Sequence, residues 1–157
     1  MIEEVVGDLW THPAEYRVVP TNGDLKANGE LVMGRGVALD AKKKFPLLAG
    51  ELGKWVKTFG NYPHIFPAYK IISFPTKRTW KMDSDPVLIA KSAESLLKLV
   101  KEHRIKSVAL PRVGCGIGTI GNMDLNWDLV VKPILEKAFG KDGGRFVVVL
   151  QSPTSQE

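Results

Sequence analysis

Two glycine-rich segments of this sequence have a composition suited to anion binding. They are MGRGVAL at residues 33–39 and RVGCGIGTIG at residues 112–121. Glycine in such a segment costs backbone entropy and adds no packing, so a tight turn or a close approach to the backbone must require it. Without Cβ atoms, successive backbone N–H groups can face one anion. Two loops of this kind suit a ligand with two adjacent phosphates.

Standard phosphate-binding motifs do not account for these segments. A P-loop needs a lysine followed by Ser or Thr behind its glycines, and neither segment has one. Gly116, Gly118 and Gly121 match G-x-G-x-x-G. In a dinucleotide-binding fold, however, that motif follows the first strand, whereas here only one predicted helix and one predicted strand come after it. The sequence therefore argues against both of these nucleotide folds.

The elements that must position these loops alternate along the chain. Most of the short apolar runs are continuous, which is typical of strands covered on both faces. The clearest helical pattern opens at Asp85 and Pro86, an N-cap residue followed by proline, and the last one contains Pro133 and is expected to be irregular at its start. Strands are predicted at residues 2–6, 17–20, 69–74, 107–110 and 146–150, and helices within 36–45, 48–59, 86–102 and 128–139.

This alternation predicts an α/β protein, a three-layer α/β/α sandwich formed by residues 1–151, with residues 152–157 as a C-terminal tail. Ligands of such sheets bind beyond the carboxyl ends of the strands. The first glycine segment follows the strand at 17–20 by way of PTNG, and the second follows the strand at 107–110 directly. We therefore expect both loops at one edge of the sheet.

The composition limits the class of protein. The chain has 157 residues, one cysteine, three histidines and a net charge of +5. A single cysteine excludes an intrachain disulfide and fits a reducing cytoplasm, where we expect the protein. No apolar run approaches the roughly 20 residues of a membrane span, and the cysteine and histidines lack metal-ligand spacing. The positive charge is compatible with a phosphorylated ligand or nucleic acid, although most basic proteins are simply basic.

Four blocks in a fixed order resemble the macrodomain, an ADP-ribose-binding module. They are VVGDLW, then PTNG with VMGRGVALDAKKKFP, then ISFPTKRTW, then ALPRVGCGIG. The lysine of FPTKR and the methionine of MGRGVA are most similar to one branch, which contains antitoxin-type DNA ADP-ribosylglycohydrolases and terminal ADP-ribose protein glycohydrolases. The resemblance implies a mixed central sheet, ADP-ribose as ligand or product, and no metal or other cofactor.

The resemblance also implies a contact for each part of ADP-ribose. Asp8 matches the aspartate that accepts a hydrogen bond from the adenine amino group, with Leu9 beside it. Asn22 matches the asparagine at the distal ribose. A turn-forming role is the alternative for both polar residues. The glycine loops would hold the phosphates and the distal ribose through Met33, Gly34, Gly36, Val37, Ala38, Val113, Gly114, Cys115, Gly116, Ile117 and Gly118, with Cys115 as a small loop residue.

Lys77 is the residue that the resemblance places at the reaction, with Asn22 as its neighbour at the distal ribose. In similar hydrolases this lysine attacks or electrostatically supports the anomeric carbon. An amine can form a Schiff base with the opened sugar when burial or a nearby cation, here Arg78, lowers its pKa. Two exposed basic loop residues are the alternative.

The catalytic acid is not fixed by the resemblance. Protein-directed members carry an aspartate two or three positions after GCG, where this chain has Gly118 and Thr119. Asp124 follows in what looks like a short insertion. It either reaches the site or caps the next helix, as Asp commonly does.

Three functions of different classes fit these residues. The preferred one is a hydrolase that removes ADP-ribose from nucleic acid or from a carboxylate side chain. Nucleic acid is the preferred substrate, since lysines neutralise phosphates and Trp80, between Arg78 and Lys81, could stack on a base or equally pack against the protein. The alternatives are a non-catalytic ADP-ribose reader and a phosphatase acting on ADP-ribose 1″-phosphate. Pairing with a separate toxin stays open. The sequence does not indicate an oligomeric state, and a monomer is the default expectation.

Overall fold

The predicted strands form one sheet in the computed structural model, which describes residues 2–116 and 124–151. The strands are β1 (Glu3–Gly7), β2 (Tyr16–Thr21), β3 (Ile65–Phe66), β4 (Ile71–Pro75), β5 (Val108–Leu110) and β6 (Phe146–Gln151). Their order in the sheet is β1-β6-β5-β2-β4-β3. All neighbours are parallel except β3 and β4, which are antiparallel. The sheet is therefore mixed, and five strands share one carboxyl edge.

Helices cover both faces of this sheet. Residues of α3 and α4 pack against one face in a core that includes Val18 and Val108. Residues of α1 and α2 pack against the other face with Val19 and Ile71. Because side chains alternate along a strand, the adjacent Val18 and Val19 serve opposite cores. The three layers predicted from the sequence are present, with α1 at Gly36–Lys44, α2 at Leu48–Phe59, α3 at Pro86–Glu102 and α4 at Lys132–Phe139.

Local signals in the sequence set the helix ends. The Asp85 carboxylate accepts hydrogen bonds from Val87 N at 2.9 Å and Leu88 N at 3.4 Å, which is the predicted N-cap of α3. Helix α2 ends at Gly60, whose φ is +94°. The irregular start expected before Pro133 is a π-helical turn, Trp127–Val131, capped by the side chain of Asn126. Asn126 thus takes the capping role that the sequence left open for Asp124.

One predicted strand starts later than expected, and one strand was missed. The sequence predicts that the strand before the lysine loop begins at residue 69, but residues 69 and 70 form a turn in which Lys70 has φ +55°. That turn reverses the chain between β3 and β4, so the two-residue strand Ile65–Phe66 can pair with β4. Such a short edge strand has little hydrophobic periodicity, which explains why the sequence did not indicate it.

Among the helices of the described residues, none combines the length and apolar character that crossing a membrane requires.

Candidate active site

A cavity of about 640 Å³ opens at the carboxyl ends of β2, β4 and β5. This volume suits a nucleotide-sized ligand. Both glycine loops and the lysine loop contribute to its wall, as the strand order predicts. It is lined by Pro20, Thr21, Asn22, Val32, Met33, Gly34, Arg35, Gly36, Val37, Ala38, Thr76, Lys77, Trp80, Lys81, Ser84, Pro111, Arg112, Gly114, Gly116 and Asp124.

The first glycine loop brings a helix N-terminus to this cavity. Helix α1 begins at Gly36, which has φ +54°, and the residue before it makes no side-chain cap. Leu39 N donates to Arg35 O at 3.1 Å, so the amides of Gly36, Val37 and Ala38 precede the first hydrogen bond of the helix. These amides and the positive end of the helix dipole favour an anionic group at this wall.

The second glycine loop needs glycine for both conformation and space. Gly114 has φ +76° and Gly116 has φ +67°, in the left-handed region. A Cβ atom on Gly114 would lie 2.5 Å from Ile89 Cδ1. Ile117 and Gly118 lie outside the described residues, so their predicted contacts stay predictions.

Two residues of the second loop face away from the cavity. Val113 is buried in the core and Cys115 packs against that core. Burial raises the pKa of the Cys115 thiol to about 11, so the thiol stays protonated at neutral pH. The Cys115 thiol donates to Val113 O at 3.5 Å. Neither side chain belongs to the cavity lining.

Lys77 and Asp124 meet in the cavity although they are far apart in sequence. Lys77 Nζ lies 3.8 Å from Asp124 Oδ2. Asp124 Oδ1 accepts a hydrogen bond from Ser84 N at 3.1 Å, and its side chain is only 5% exposed. Leu125 N donates to Gly114 O, which fixes the backbone after Asp124 to the second glycine loop. The structure therefore places Asp124 in the site and not at a helix end.

Asn22 has the turn-forming role and also lies at the cavity wall, while its contact to the distal ribose stays a prediction. Its Oδ1 accepts from Asp24 N at 3.0 Å, as in a turn, and its Nδ2 donates to Val32 O at 3.1 Å. The residue also lines the cavity beside the first glycine loop. These two hydrogen bonds hold the amide of Asn22 in one orientation at the cavity wall.

Asp24 positions the loop that carries Lys77, a role that the sequence did not reveal. Its Oδ2 accepts from Thr79 Oγ1 at 2.6 Å and from Trp80 N at 2.7 Å. Gly23 N also donates to Arg78 O at 3.1 Å. Together these contacts fasten the loop after β4, which carries Lys77, to the loop after β2. In the sequence Asp24 has only the appearance of a turn residue.

The predicted nucleic-acid contacts separate into two groups. Trp80 and Lys81 line the cavity, and Lys81 Nζ lies 5.8 Å from the centroid of the Trp80 ring. Arg78 does not line it; its Nε lies 3.2 Å from Asp85 Oδ2, the cap of α3. The cation expected beside Lys77 is therefore engaged by a carboxylate on the neighbouring element.

Asp8 and Leu9 do not line the cavity. Asp8 Oδ1 accepts from Trp10 N at 2.8 Å, which is the turn-forming role. Leu9 is buried with Ala109 and Val149. Asp8 does follow β1 at the carboxyl edge shared by the parallel strands, so its adenine contact stays a prediction.

A carboxylate on β1 braces the wall of the cavity, and no sequence pattern indicates it. Glu4 Oε1 accepts from Arg112 Nη2 at 3.2 Å and from Trp127 Nε1 at 3.0 Å, and Glu4 Oε2 lies 3.0 Å from Lys132 Nζ. Burial of the Glu4 carboxyl acts to raise its pKa. The hydrogen bonds and charges of Lys132 and Arg112 together outweigh burial and lower the pKa of Glu4 below its usual value of 4.5.

Replacement of Glu4 by glutamine is expected to reduce the free energy of unfolding by about 1–2 kcal/mol at neutral pH, because charge-assisted hydrogen bonds are removed. A carboxyl with a lowered folded-state pKa stabilises the fold above pH 4.5 and loses this effect as the pH falls through its folded-state pKa. The difference between wild type and Glu4→Gln should therefore shrink on acidification. Urea denaturation at about pH 7 and pH 3 measures it, and an equal difference at both pH values would contradict this account.

The sequence is similar to curated proteins. The Macro domain family profile matches residues 26–125. A DNA ADP-ribosyl glycohydrolase of Thermus aquaticus is 32% identical over 155 residues, which cover 91% of this chain and 39% of that protein. A DNA ADP-ribosyl glycohydrolase of Mycobacterium tuberculosis is 31% identical over 106 residues, which cover 62% of this chain and 29% of that protein. The chain spans 39% or less of the length of these two relatives.

The fold is similar to solved structures. The macrodomain of Thermus aquaticus DarG matches with a TM-score of 0.77 and 28% identity, covering 97% of this chain and 99% of that one. The macrodomain of Mycobacterium tuberculosis DarG matches with a TM-score of 0.76 and 28% identity, covering 98% of both chains. Thermosipho africanus DarTG in complex with ADP-ribose gives a TM-score of 0.74 and 25% identity, covering 96% of this chain and 41% of that one. These matches confirm the predicted α/β fold with its mixed sheet.

Proposed function

The chain belongs to the Macro domain family, and we propose that it is an ADP-ribosyl glycohydrolase that removes ADP-ribose from DNA. The observation that carries the proposal is the Lys77–Asp124 pair, 3.8 Å apart in a cavity walled by two glycine loops. The relatives named DNA ADP-ribosyl glycohydrolase support the choice of reaction and substrate.

The two loops would bind the diphosphate of ADP-ribose. The N-terminal amides of α1 and the positive-φ backbone at Gly114 and Gly116 line the same cavity. Backbone N–H groups in these conformations bind phosphate oxygens without a lysine. The amide of Asn22, held by Asp24 N and Val32 O, would orient the distal ribose next to Lys77.

Lys77 supplies the nucleophile in this proposal. The electron pair of its neutral amine forms a bond to the anomeric carbon of the distal ribose as the bond from that carbon to the DNA base breaks. The base leaves with its electron pair and takes up the proton that the resulting Lys77 ammonium gives up. Opening of the sugar ring gives a Schiff base, which water attacks, and the amine leaves. One water molecule is consumed for each ADP-ribose released.

The Asp124 carboxylate is placed to accept a proton from the water that attacks the Schiff base. It lies beside Lys77 Nζ and is held by Ser84 N, so its orientation is fixed before substrate binds. The absent aspartate after GCG was the support for a non-catalytic reader. Asp124 supplies a carboxylate at the lysine from a later position in the chain, which favours the hydrolase. Amine and carboxylate together leave no step that requires a metal or another cofactor.

DNA as the substrate is supported by the rim of the cavity. Trp80 and Lys81 line the cavity and are exposed. An exposed indole beside an ammonium suits a base and its phosphate. The presence of a single cysteine supports a reducing cytoplasm as the location.

Single-turnover release of ADP-ribose tests the proposal. The panel contains ADP-ribosylated single-stranded DNA, a protein carrying ADP-ribose on a carboxylate, and ADP-ribose 1″-phosphate. We expect release from the DNA to exceed release from the protein, with no phosphate freed from the third substrate. Binding of free ADP-ribose without turnover of any substrate would make the protein a reader, and phosphate release alone would make it a phosphatase.

A further inference from the structure

The loop between α2 and β3, residues 60–64, contacts the main chain of Lys77 from outside the cavity. Asn61 Nδ2 donates a hydrogen bond to Lys77 O at 3.1 Å. The carbonyls of Thr76 and Arg78, on either side, accept from backbone amides of other segments. In the part of the chain that the structure describes, the carbonyl of Lys77 is the one of these three that accepts from a side chain.

Both ends of this loop are fixed. Helix α2 ends at Gly60, whose φ of +94° leads the chain out of the helix. At the other end, Ser73 Oγ accepts from His64 N at 2.9 Å, and Ser73 N donates to His64 O at 2.9 Å. Asn61 therefore stands on a loop that is anchored to the end of a helix and to β4, the strand that leads to Lys77.

The Asn61 amide packs against the loop after β2. A Cβ atom on Gly23 would lie 3.2 Å from Asn61 Nδ2, 3.3 Å from Asn61 Cγ and 2.7 Å from Arg78 O. Glycine at position 23 therefore leaves room for the amide beside the lysine loop. The place of the amide is set by this packing and by the hydrogen bond to Lys77 O.

A hydrogen-bond donor, and not side-chain volume, is what asparagine supplies at position 61. Asn61 Oδ1 is buried and accepts no hydrogen bond from the described part of the chain. A buried acceptor without a partner destabilises a fold, and an apolar side chain of similar shape would avoid that cost. The bond from Nδ2 to Lys77 O is the contribution that an apolar side chain could not make.

The proposed reaction requires accurate placement of Lys77. A nucleophile attacks from about 3–3.5 Å, and its orbitals must be aligned with the carbon. Lys77 Nζ lies 3.8 Å from Asp124 Oδ2 at the end of a long, flexible side chain. Because the side chain is flexible, a fixed main chain limits the positions that Nζ can reach. A hydrogen bond to the Lys77 peptide therefore acts on the reacting amine.

We propose that Asn61 is a positioning residue for the reaction: its hydrogen bond to Lys77 O fixes the Lys77 peptide and so directs the amine to the anomeric carbon. The proposal rests on the proposed function. Asn61 is not one of the residues that line the cavity. It therefore acts through Lys77 and not on the ligand.

Asn61→Leu keeps a similar volume without the donor and tests the proposal. The single-turnover rate of ADP-ribose release from ADP-ribosylated single-stranded DNA should fall about 10–100-fold, as expected for a small misplacement of a reacting group. The Kd for free ADP-ribose, measured by calorimetry, should change by less than about twofold, because the phosphate-binding loops are intact. Asn28→Leu makes the same replacement at an exposed amide that bonds Glu30, and this matched control should behave as wild type.

A double-mutant cycle separates positioning from a general effect on the fold. In a Lys77→Ala background, Asn61→Leu should cause no further loss of rate, because the amine that it positions is absent. A merely structural role would lower the residual rate of Lys77→Ala by the same factor as the rate of wild type, and the proposal would then be wrong. A wild-type rate in the Asn61→Leu single variant would also contradict it.

Reductive labelling of Lys77 measures its placement without DNA. The open-chain form of free ADP-ribose carries an aldehyde at the anomeric carbon. The Lys77 amine adds to that carbon, water leaves, and cyanoborohydride reduces the resulting Schiff base to a stable amine that mass spectrometry locates. The rate of this labelling should fall about 10–100-fold in Asn61→Leu and stay unchanged in Asn28→Leu.

The two readouts distinguish failure of this proposal from failure of the proposed function. If wild type releases ADP-ribose from no substrate, the proposed function fails, and labelling alone then decides the role of Asn61. Slower labelling in Asn61→Leu than in wild type supports the positioning role. Equal labelling of wild type and Asn61→Leu, or no labelling of Lys77 in either protein, overturns it.

Discussion

Lys77→Ala is expected to lower the single-turnover rate of ADP-ribose release from DNA by about 10³-fold or more, while the Kd for free ADP-ribose changes by less than about threefold. The variant removes the amine, which in the proposed mechanism forms the bond to the anomeric carbon. It leaves the helix N-terminus at α1 and the backbone of the second glycine loop intact, and these would supply most of the binding energy. The rate comes from rapid-quench release and the affinity from calorimetry.

Lys77→Arg separates the two roles that an amine can have at this position. Arginine keeps the positive charge but does not lose its proton in proteins, so it cannot act as the nucleophile. A loss as large as in Lys77→Ala supports covalent attack, and a partial recovery supports an electrostatic role. Lys91→Ala, an exposed lysine of α3, is the control. A Lys77→Ala variant with the wild-type rate would contradict the proposed function.

The sequence predicted most of the fold because its signals are local. Asp85 followed by proline is enough to start α3, and a glycine with φ +94° ends α2. Apart from the two-residue β3, the strands of the sheet are short runs that can be recognised without knowing their partners. The carboxyl-edge rule for parallel strands then placed both glycine loops and Lys77 at one cavity, which the structure bears out.

The parts that escaped prediction depend on contacts between distant residues. Glu4 braces Arg112 and Trp127 across the sheet, and Asp24 holds Thr79 and Trp80 across the cavity edge. A lone Glu on a strand or Asp in a turn has no periodicity or motif that reveals such a partner. Sequence-based arguments find the residues that contact a ligand more easily than those that hold them in place.

The role of Asp124, at the centre of the site, also depends on residues distant in sequence and could not be predicted from its local sequence. Its sequence context, three residues before a buried tryptophan at the start of a helical pattern, suited a helix cap as well as a catalytic group. Only the fold brings the segment back to the loop between β4 and α3, where Ser84 N donates to Asp124 Oδ1. The choice between the two roles therefore required the tertiary structure.

Asp124→Asn should separate the two halves of the proposed cycle. The asparagine Oδ1 can still accept from Ser84 N, so the loop geometry is kept, while the carboxylate that takes a proton from water is removed. We expect DNA to be freed at a rate near that of wild type, and ADP-ribose to stay bound to Lys77 and be released about 10²–10⁴-fold more slowly. Borohydride reduction followed by mass spectrometry of the intact protein would detect the adduct.

Two control variants test whether the effect of Asp124→Asn depends on that carboxylate and on the Lys77 amine. Asp83→Asn removes an exposed carboxylate adjacent to Ser84 and should behave as wild type. Asp124→Asn combined with Lys77→Ala should form no adduct, because the amine that carries it is absent. If Asp124→Asn releases ADP-ribose at the wild-type rate, Asp124 only orders the loop. If Asp124→Asn no longer breaks the bond between ADP-ribose and the DNA base, and no adduct accumulates, the carboxylate acts before the bond to Lys77 forms. It is then the acid or base of the first step.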